Sequence, residues 1–245
     1  MSYLSGRVQT VSVDGAKSQP RQLEYGVPQG SVLGPILFTN YTLPLGKIAD
    51  KYGLNYHLYA DDTQLYLSFK PGCTSEATLA KNKLESCIEE IKQWMNKNML
   101  KLNDEKTELL LLTTQKMGSK HSFNGINIGN SNSKITTSEK VKNLGVIFDS
   151  TLRSESYVSQ ICKVSHYHLH NISRVRRSLT TEAARSFIHA YVTSRLDYCN
   201  SLLYKAPKTT IDRLQKVQNY AARVITMTAS KTTLHQSWLN STGCP

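Results

Sequence analysis

The sequence predicts an α+β protein in which the strands lie in the first 152 residues and the remainder is helical. Short apolar runs separated by Gly, Pro, Asn and Ser fill residues 1–152, as in small strands joined by turns. After Asp149 the apolar residues recur every three to four positions, which is the spacing of amphipathic helices. We therefore expect an α+β domain at 1–152, a basic helical domain at 153–230 and a divergent tail at 231–245.

The charge distribution supports this division and suggests a class of partner. The 245 residues carry a formal net charge of +12, and residues 153–230 hold twelve basic and four acidic side chains. A basic segment of this kind typically meets a polyanion such as nucleic acid. A basic surface that serves only solubility is the alternative on charge alone.

Composition also excludes several classes of protein. A hydrophobic fraction of 39% is enough for a packed core. No apolar run approaches the roughly 18 residues that cross a bilayer, and the first ten residues lack the apolar segment of a signal peptide. The five cysteines include no C-x-x-C pair, which argues against a disulfide framework or a zinc knuckle. We expect an intracellular protein, in cytoplasm or nucleus, that is not secreted and has no membrane partner.

The alternation of apolar with polar residues and the positions of Gly and Pro predict the first elements of the chain. Val11 and Val13 alternate with polar residues and predict strands on either side of a turn at "VDGAKSQP". Residues 31–53 predict a helix that begins near Pro35 and breaks near Pro44. Its expected inner face consists of Leu33, Ile36, Leu37 and Ile48.

Residues 56–69 predict a hairpin whose turn is the polar dipeptide Asp61–Asp62, because Asp tolerates unusual backbone angles. A Pro-Gly turn follows, and then a helix whose apolar positions are Leu84, Ile88, Ile91 and Met95. Trp94 and Met95 are expected in the core of this helix rather than as a base-stacking platform. Strands are expected at 108–113, 126–128 and 141–148.

Three helices are expected in the basic part of the chain. They are marked by Val158, Ile161, Ser165, Leu169 and Ile172 in the first, Ala184, Phe187, Ile188 and Tyr191 in the second, and Ile211, Leu214, Val217, Ala221 and Val224 in the third. His166 and His170 lie four residues apart in the first of them, as metal ligands on a helix do. No third ligand is evident nearby, so exposed histidines are the favoured interpretation.

Three short segments carry chemistry. In "GVPQGSVLGPILF" (26–38), Pro28 stiffens the chain, Gly30 permits close approach of another molecule, and the Gln29 amide can donate and accept hydrogen bonds. In "YADD" (59–62), two adjacent carboxylates repel each other unless solvent or a cation screens them. In "LKLNDEKTELLLL" (100–112), a lysine leads into an apolar strand. Each segment alone is weak evidence.

Together, their order and spacing resemble the palm subdomain of reverse transcriptases, and most of all those of non-LTR (LINE-like) retrotransposons. "SYLSGRVQTVSVDG" and "VKNLGVIFDSTL" are also similar to that family, as are "RRSLTTEAA", "SRLDYCNSLLY" and "RLQKVQNYAARVI" in the helical part. The resemblance covers residues 2–228. It implies an RNA-directed DNA polymerase that uses Mg²⁺, an RNA template, a DNA primer and deoxynucleoside triphosphates.

The resemblance also implies a role for particular residues. Asp61 and Asp62 match the paired catalytic aspartates, with Asp61 as the expected Mg²⁺ ligand, and Lys106 matches the lysine proposed to protonate pyrophosphate. Gln29 and Gly30 match the segment along the template and nucleotide. Leu144 and Gly145 match the primer grip. The helices after residue 152 resemble the thumb, which follows the phosphates of the primer–template duplex.

The family pattern includes a further metal-binding aspartate and a fingers subdomain upstream of "SYLSGR". Asp14, in a turn, and Asp50, at a helix end, are poor substitutes for that aspartate. The resemblance therefore implies part of a polymerase that is inactive as an isolated polypeptide of 245 residues. The alternative is a non-catalytic truncated relic that retains only nucleic-acid binding. Telomerase and group II intron maturases are disfavoured by the thumb-like segments, and viral RNA polymerases by "YADD".

Overall fold

The computed structural model describes residues 5–28, 30–70, 72–114, 123, 125–128 and 134–228. Contacts divide the chain into two units. One comprises Met1–Asp104 with Ile126–Lys134, and the other comprises Glu105–Gly125 with Ile135–Pro245. The predicted tail at 231–245 lies outside the described residues.

The elements confirm the predicted α+β class. The α-helices are α1 (Gly34–Thr42), α2 (Pro44–Lys51), α3 (Thr74–Lys97), α4 (Glu155–Val175), α5 (Thr181–Ile188), α6 (Ser194–Asp197) and α7 (Lys208–Thr226). Short 3-10 turns span Asp104–Lys106, Arg176–Ser178 and Asn200–Leu203, and a π-helical turn spans His189–Thr193.

The strands are short and associate in pairs rather than in one large sheet. They are β1 (Arg7–Gln9), β2 (Ser12–Val13), β3 (Ala16–Lys17), β4 (Arg21–Leu23), β5 (Asn55–Tyr59), β6 (Asp62–Tyr66), β7 (Leu109–Leu110), β8 (Ile126–Asn127), β9 (Lys134–Ile135), β10 (Thr137–Ser138), β11 (Lys140–Asn143) and β12 (Val146–Asp149). The pairs β1–β4, β2–β3, β5–β6 and β11–β12 are antiparallel, and β10 runs parallel to β7.

The core of the first unit forms where α2 and α3 meet the β5–β6 hairpin. Its buried members are Leu45, Ile48, Ala49, Leu54, Cys87 and Ile91. Glu90 on α3 accepts hydrogen bonds from Lys51 Nζ and Tyr52 Oη, each at 2.6 Å, and so holds the end of α2. The bond from Lys51 and then that from Tyr52 lower the pKa of the Glu90 carboxyl, whereas burial raises the pKa of the Cys87 thiol to about 11.

The predicted helix over 31–53 is broken at Pro44, which occupies the first turn of α2. Its predicted inner face is partly wrong. Ile48 is buried and Leu37 half-buried, but Leu33 and Ile36 are exposed. The reason is that α1 and α2 are separate helices, so a single periodicity carried across both assigns the wrong face to the first.

The second unit is a helical cluster built around α4, which packs on α7, on α5 and on β12. All five positions predicted for the inner face of the first basic helix, from Val158 to Ile172, are buried on α4. The hairpin β11–β12 joins this unit because Val146 is buried in the same core, with Ile147 and Phe148 packed beside it. Neither division between the two units falls at residue 152, and a functional boundary there stays a prediction.

Two predicted core positions of the second basic helix are wrong. Ala184 and Ile188 are buried, but Phe187 and Tyr191 are exposed. The π-helical turn His189–Thr193 adds a residue to one turn of the helix, so Val192 faces the core instead of Tyr191. Ile211, at the start of α7, is also exposed.

Arg176 ties the C-terminal ends of two helices together. Its side chain follows α4 and is only 5% exposed. Its Nε donates to the Val224 carbonyl at 3.0 Å and its Nη2 to the Ile225 carbonyl at 2.8 Å, and both carbonyls lie in the last turn of α7. Its Nη1 donates to the Leu179 carbonyl at 2.8 Å. A positive charge at a helix C-terminus satisfies carbonyls that have no partner within the helix.

In the part of the chain that the structure describes, none of the helices has the length and apolar character needed to cross a lipid bilayer.

We expect Arg176→Ala to lower the free energy of unfolding by about 3 kcal/mol, because it leaves buried carbonyls without donors. Arg176→Lys should lose nearly as much, since an ammonium cannot reproduce the planar fork of donors. Urea unfolding followed by circular dichroism measures both.

The matched control for Arg176 is Arg177→Ala, because Arg177 is exposed beside it and should matter by less than about 0.5 kcal/mol. Equal losses for the two arginines would contradict the capping role of Arg176.

Candidate active site

The two adjacent aspartates lie at the tip of the β5–β6 hairpin. In the register of the pair Tyr59 is opposite Asp62, which leaves Ala60 and Asp61 as a two-residue turn. The inner face of the hairpin packs on the core through Tyr56, Leu58, Leu65 and Leu67. The carboxylates are thus raised at the exposed end of an element whose other end is anchored in the core.

The predicted turn is wrong by one residue. The turn is Ala60–Asp61, and Asp62 is already paired in β6. The residue with a left-handed backbone is Ala60, with φ of 51°, and not an aspartate. Because this conformation costs an alanine about 1–2 kcal/mol, packing of the strands must hold the turn in place.

Both carboxylates are free to accept ligands. Asp61 and Asp62 are exposed, and neither side chain forms a hydrogen bond or ion pair with another described residue. Carboxylate oxygens are the donors that Mg²⁺ prefers. Among the described residues no group of three or more Asp, Glu, His or Cys side chains comes together. The donor pair therefore fits a divalent cation as part of a site, with further ligands required.

The hairpin is anchored through a close contact between Tyr56 and α2. A Cβ atom built at Gly46 would lie 2.5 Å from the Tyr56 ring, closer than real side chains approach. Glycine at this buried helical position therefore lets the ring of Tyr56 lie against the helix backbone. This packing fixes the inner face of β5, and with it the strand that leads into the aspartate turn.

The structure gives local positions for two other predicted site residues, Gly30 and Lys106. Gly30 has a left-handed φ of 79°, and its role beside the template and nucleotide stays a prediction, while Gln29 lies outside the described residues. Lys106 is exposed in the 3-10 turn Asp104–Lys106, before β7. Lys106 belongs to the second unit and Asp61 to the first, so the role of Lys106 stays a prediction.

Leu144 and Gly145 form the two-residue turn of the β11–β12 hairpin. The single strand predicted at 141–148 is thus two strands, with Asn143 opposite Val146. Both turn residues have positive φ, 45° for Leu144 and 85° for Gly145, as in the tight turns that match the twist of a hairpin. Leucine is rarely found in this conformation, so its presence here requires support from neighbouring residues.

That support comes from two tyrosines that sequence reasoning did not select. Tyr198 Oη donates to the Leu144 carbonyl at 2.6 Å, and its ring lies 3.5 Å from where a Cβ at Gly145 would be. Tyr157 Oη on α4 donates in turn to the Tyr198 carbonyl at 2.8 Å. The turn is therefore connected to α4 through Tyr198. Nothing in the local sequence signals this, because the bonded residues are 54 and 41 positions apart.

Asp149 holds the other end of the same hairpin. Its Oδ1 accepts from Thr151 Oγ1 at 2.8 Å, from Thr151 N at 3.1 Å and from Arg153 N at 3.0 Å. Burial acts to raise the pKa of Asp149, but these hydrogen bonds outweigh it and the pKa is lowered. A charged Asp149 thus orders the connection from β12 to α4 at neutral pH.

Three further residues singled out from the sequence, Trp94, Met95 and His166, lie against apolar or aromatic side chains. Trp94 and Met95 are half-buried against the core of the first unit, and the Trp94 ring lies 6.0 Å from that of Tyr41. The His166 ring lies 5.9 Å from the Tyr220 ring.

Gly46→Ala should destabilise the first unit although alanine is the better helix former. The gain in helix propensity is about 1 kcal/mol, but overlap with the Tyr56 ring costs roughly 1–3 kcal/mol, so we expect a small net loss. Urea unfolding followed by tryptophan fluorescence measures the change.

In a Tyr56→Ala background the same substitution at Gly46 should become neutral or stabilising, because the ring that it meets has gone. A loss of the same size in both backgrounds would show that Tyr56 is not the cause.

Tyr198→Phe should loosen the Leu144–Gly145 turn with little effect on global stability. The half-exposed hydroxyl contributes about 1 kcal/mol, yet it is the hydrogen bond that holds the Leu144 carbonyl. Amide hydrogen exchange at residues 144–146 should become faster. Tyr204→Phe, an exposed tyrosine of the same unit, serves as control, and equal exchange in the two variants would refute the positioning role of Tyr198.

Comparison with known proteins identifies the family. Residues 1–148 match the sequence profile of "Reverse transcriptase (RNA-dependent DNA polymerase)". The chain is 26% identical over 236 residues to "Probable RNA-directed DNA polymerase from transposon BS" of Drosophila melanogaster, covering 92% of this chain and 25% of the relative. It is 26% identical over 235 residues to "RNA-directed DNA polymerase from mobile element jockey" of Drosophila funebris, covering 91% and 24%.

A third relative is "Probable RNA-directed DNA polymerase from transposon X-element" of Drosophila melanogaster, 25% identical over 246 residues that cover 96% of this chain and 26% of the relative. The chain thus spans about a quarter of the length of these curated relatives. No solved structure matches it significantly. The predicted resemblance is confirmed: the chain belongs to the reverse transcriptase (RNA-dependent DNA polymerase) family, in its non-LTR, LINE-like branch.

Proposed function

We propose that this chain supplies the aspartate turn and a nucleic-acid-binding helical part of an RNA-directed DNA polymerase. One observation carries the proposal. Two adjacent carboxylates, without partners among the described residues, are raised at the tip of a hairpin whose base is fixed to α2 and α3. The family membership and the names of the three relatives support the same reaction class.

Asp61 and Asp62 would hold Mg²⁺ through their exposed oxygens, with Asp61 as the principal ligand. When bound, metal ions in nucleotidyl transfer activate the primer hydroxyl and stabilise the leaving phosphates. The chain's own contribution is position. The left-handed turn at Ala60 and the packing of Tyr56 on Gly46 fix the position of the two carboxylates relative to the core of the first unit. Lys106 is proposed to give a proton to the pyrophosphate that leaves.

The proposed partners are an RNA template, a DNA primer and deoxynucleoside triphosphates. Gln29 and Gly30 are proposed to lie along the template and nucleotide, and the Leu144–Gly145 turn to hold the primer end. The helical part from residue 153 to 230, with its net charge of +8, is proposed to follow the phosphates of the duplex as a thumb.

A second candidate is a relic that binds nucleic acid without catalysing transfer. It is favoured by the absence, among the described residues, of a third acidic side chain close to Asp61 and Asp62. We accordingly expect no primer extension with Mg²⁺ from the 245-residue polypeptide by itself. Extension that disappears in Asp61→Asn would overturn this expectation and favour a complete catalytic site.

Metal binding at the turn can be tested without activity. Mn²⁺, which replaces Mg²⁺ at oxygen sites and broadens nearby NMR signals, should selectively broaden the amide signals of Ala60, Asp61 and Asp62. Asp61→Asn should abolish the selective broadening. Asp14→Asn, which changes an exposed aspartate in the β2–β3 turn, should leave it intact. Broadening that survives Asp61→Asn would contradict the proposed site.

Duplex binding should be strongly salt-dependent because it releases counterions from phosphates. Lys208 is the first residue of α7 and Lys205 precedes the helix, and both are exposed. Replacing both with Gln should reduce the slope of log affinity against log salt by about two. Fluorescence anisotropy with an RNA–DNA duplex measures the slope. Lys51→Gln, a change in the first unit, is the control, and an equal slope for all three proteins would exclude the proposed role of these lysines.

A further inference from the structure

Four aromatic rings lie next to one another where α4 meets α5 and the π-helical turn. The His168 ring stacks on the Tyr191 ring, with 5.1 Å between centroids and 24° between planes. The Phe187 ring is nearly parallel to Tyr191 at 6.3 Å, and the Tyr167 ring meets His168 edge-on at 5.4 Å. We call Tyr167, His168, Phe187 and Tyr191 the aromatic patch.

The aromatic patch is not part of the core beneath it. Tyr167 is 64% exposed, Phe187 42% and Tyr191 45%. The core below is already filled by Leu169, Ile188 and Val192, each at most 2% exposed. Within the π-helical turn, Val192 faces the core and Tyr191 lies outside it.

The charged residues nearest in sequence to the members of the aromatic patch are all basic. Within four positions of its members the charged side chains are Lys163, Arg185 and Arg195, and all three are exposed. No aspartate or glutamate occurs within four positions of any member. Exposed rings whose nearest charged neighbours along the chain are basic complement a polyanion that also carries flat rings of its own.

We propose that the aromatic patch binds a single-stranded polynucleotide. The bases stack on the rings of Tyr167 and Tyr191, and the phosphates meet Lys163, Arg185 and Arg195. A duplex hides the faces of its bases and gains nothing from exposed rings, so the patch selects unpaired strand. The inference rests on the proposed function in that it assumes a nucleic-acid-binding helical part, but it adds a site distinct from the duplex contact.

The probes are fluorescein-labelled oligomers of fifteen thymidine or fifteen uridine nucleotides, and an abasic oligomer of equal length and charge. Anisotropy titrations use the whole chain at one fixed salt concentration. We expect the wild-type protein to bind the thymidine or the uridine oligomer about tenfold more tightly than the abasic oligomer, because stacking contributes beyond the phosphates. Equal affinity for the base-bearing and abasic oligomers would overturn the proposal without any variant.

Variants identify the rings. Tyr191→Phe keeps an aromatic face and should bind within twofold of wild type, whereas Tyr191→Leu keeps the apolar area and should lose about tenfold for single strands. Tyr167→Leu should act in the same direction. Tyr204→Leu is the matched control, because Tyr204 is an exposed tyrosine of the same unit outside the patch. Thermal unfolding by circular dichroism checks that each variant is folded.

The outcomes separate this inference from the proposed function. Duplex binding that persists with no binding of single strands would overturn the patch and leave the proposed function standing. If Tyr191→Leu and Tyr167→Leu both keep the wild-type affinity for duplex and for single strands, the proposed role of the aromatic patch is also overturned. That outcome would favour a protein partner on this surface. Absence of binding to every oligomer, duplex included, would overturn the proposed thumb as well.

Discussion

A buried guanidinium with no carboxylate partner among the described residues organises the second unit of this protein. Arg176 follows the last residue of α4. Its side chain donates hydrogen bonds to two carbonyls in the last turn of α7 and to one carbonyl in the loop that leads to α5. A charge moved out of water is costly unless its hydrogen bonds are all made. These hydrogen bonds hold the end of α4, the last turn of α7 and the loop before α5 together, and the surfaces that the three helices present depend on that arrangement.

The two hairpins that carry the predicted site residues share a construction. Each has a two-residue turn, each turn contains a non-glycine residue in the left-handed conformation, and each is fixed by packing on a helix. Ala60 relies on strands held by Tyr56 against Gly46, and Leu144 relies on a tyrosine hydroxyl. In both cases a locally unfavourable turn is maintained by contacts some distance along the chain. Exposed tips of this kind can be held rigid without burying the groups that they present.

The sequence predicted well what depends on periodicity and motif, and poorly what depends on distant contacts. The α+β class, the break at Pro44 and the buried positions of α4 were predictable, because spacing of 3.6 residues and the chemistry of proline act locally. The order of three short motifs was enough to indicate the family. The face of α1 and the exposure of Tyr191 were not predictable, because a helix break and a π-helical turn change the phase of the pattern. Tyr157 and Tyr198 carry no local signal at all, and neither does the shift of the turn from Asp62 to Ala60.

The π-helical turn makes the second unit sensitive to residue number. One added residue turns everything beyond it by about 100° relative to a regular helix. Removal of a single residue between His189 and Thr193 would restore an ordinary helix and rotate Leu196 out of the core. It would also swing Tyr198 away from the Leu144 carbonyl, so the hairpin turn would lose its support. A one-residue deletion in this turn would therefore disturb the core, the aromatic patch and the β11–β12 hairpin together.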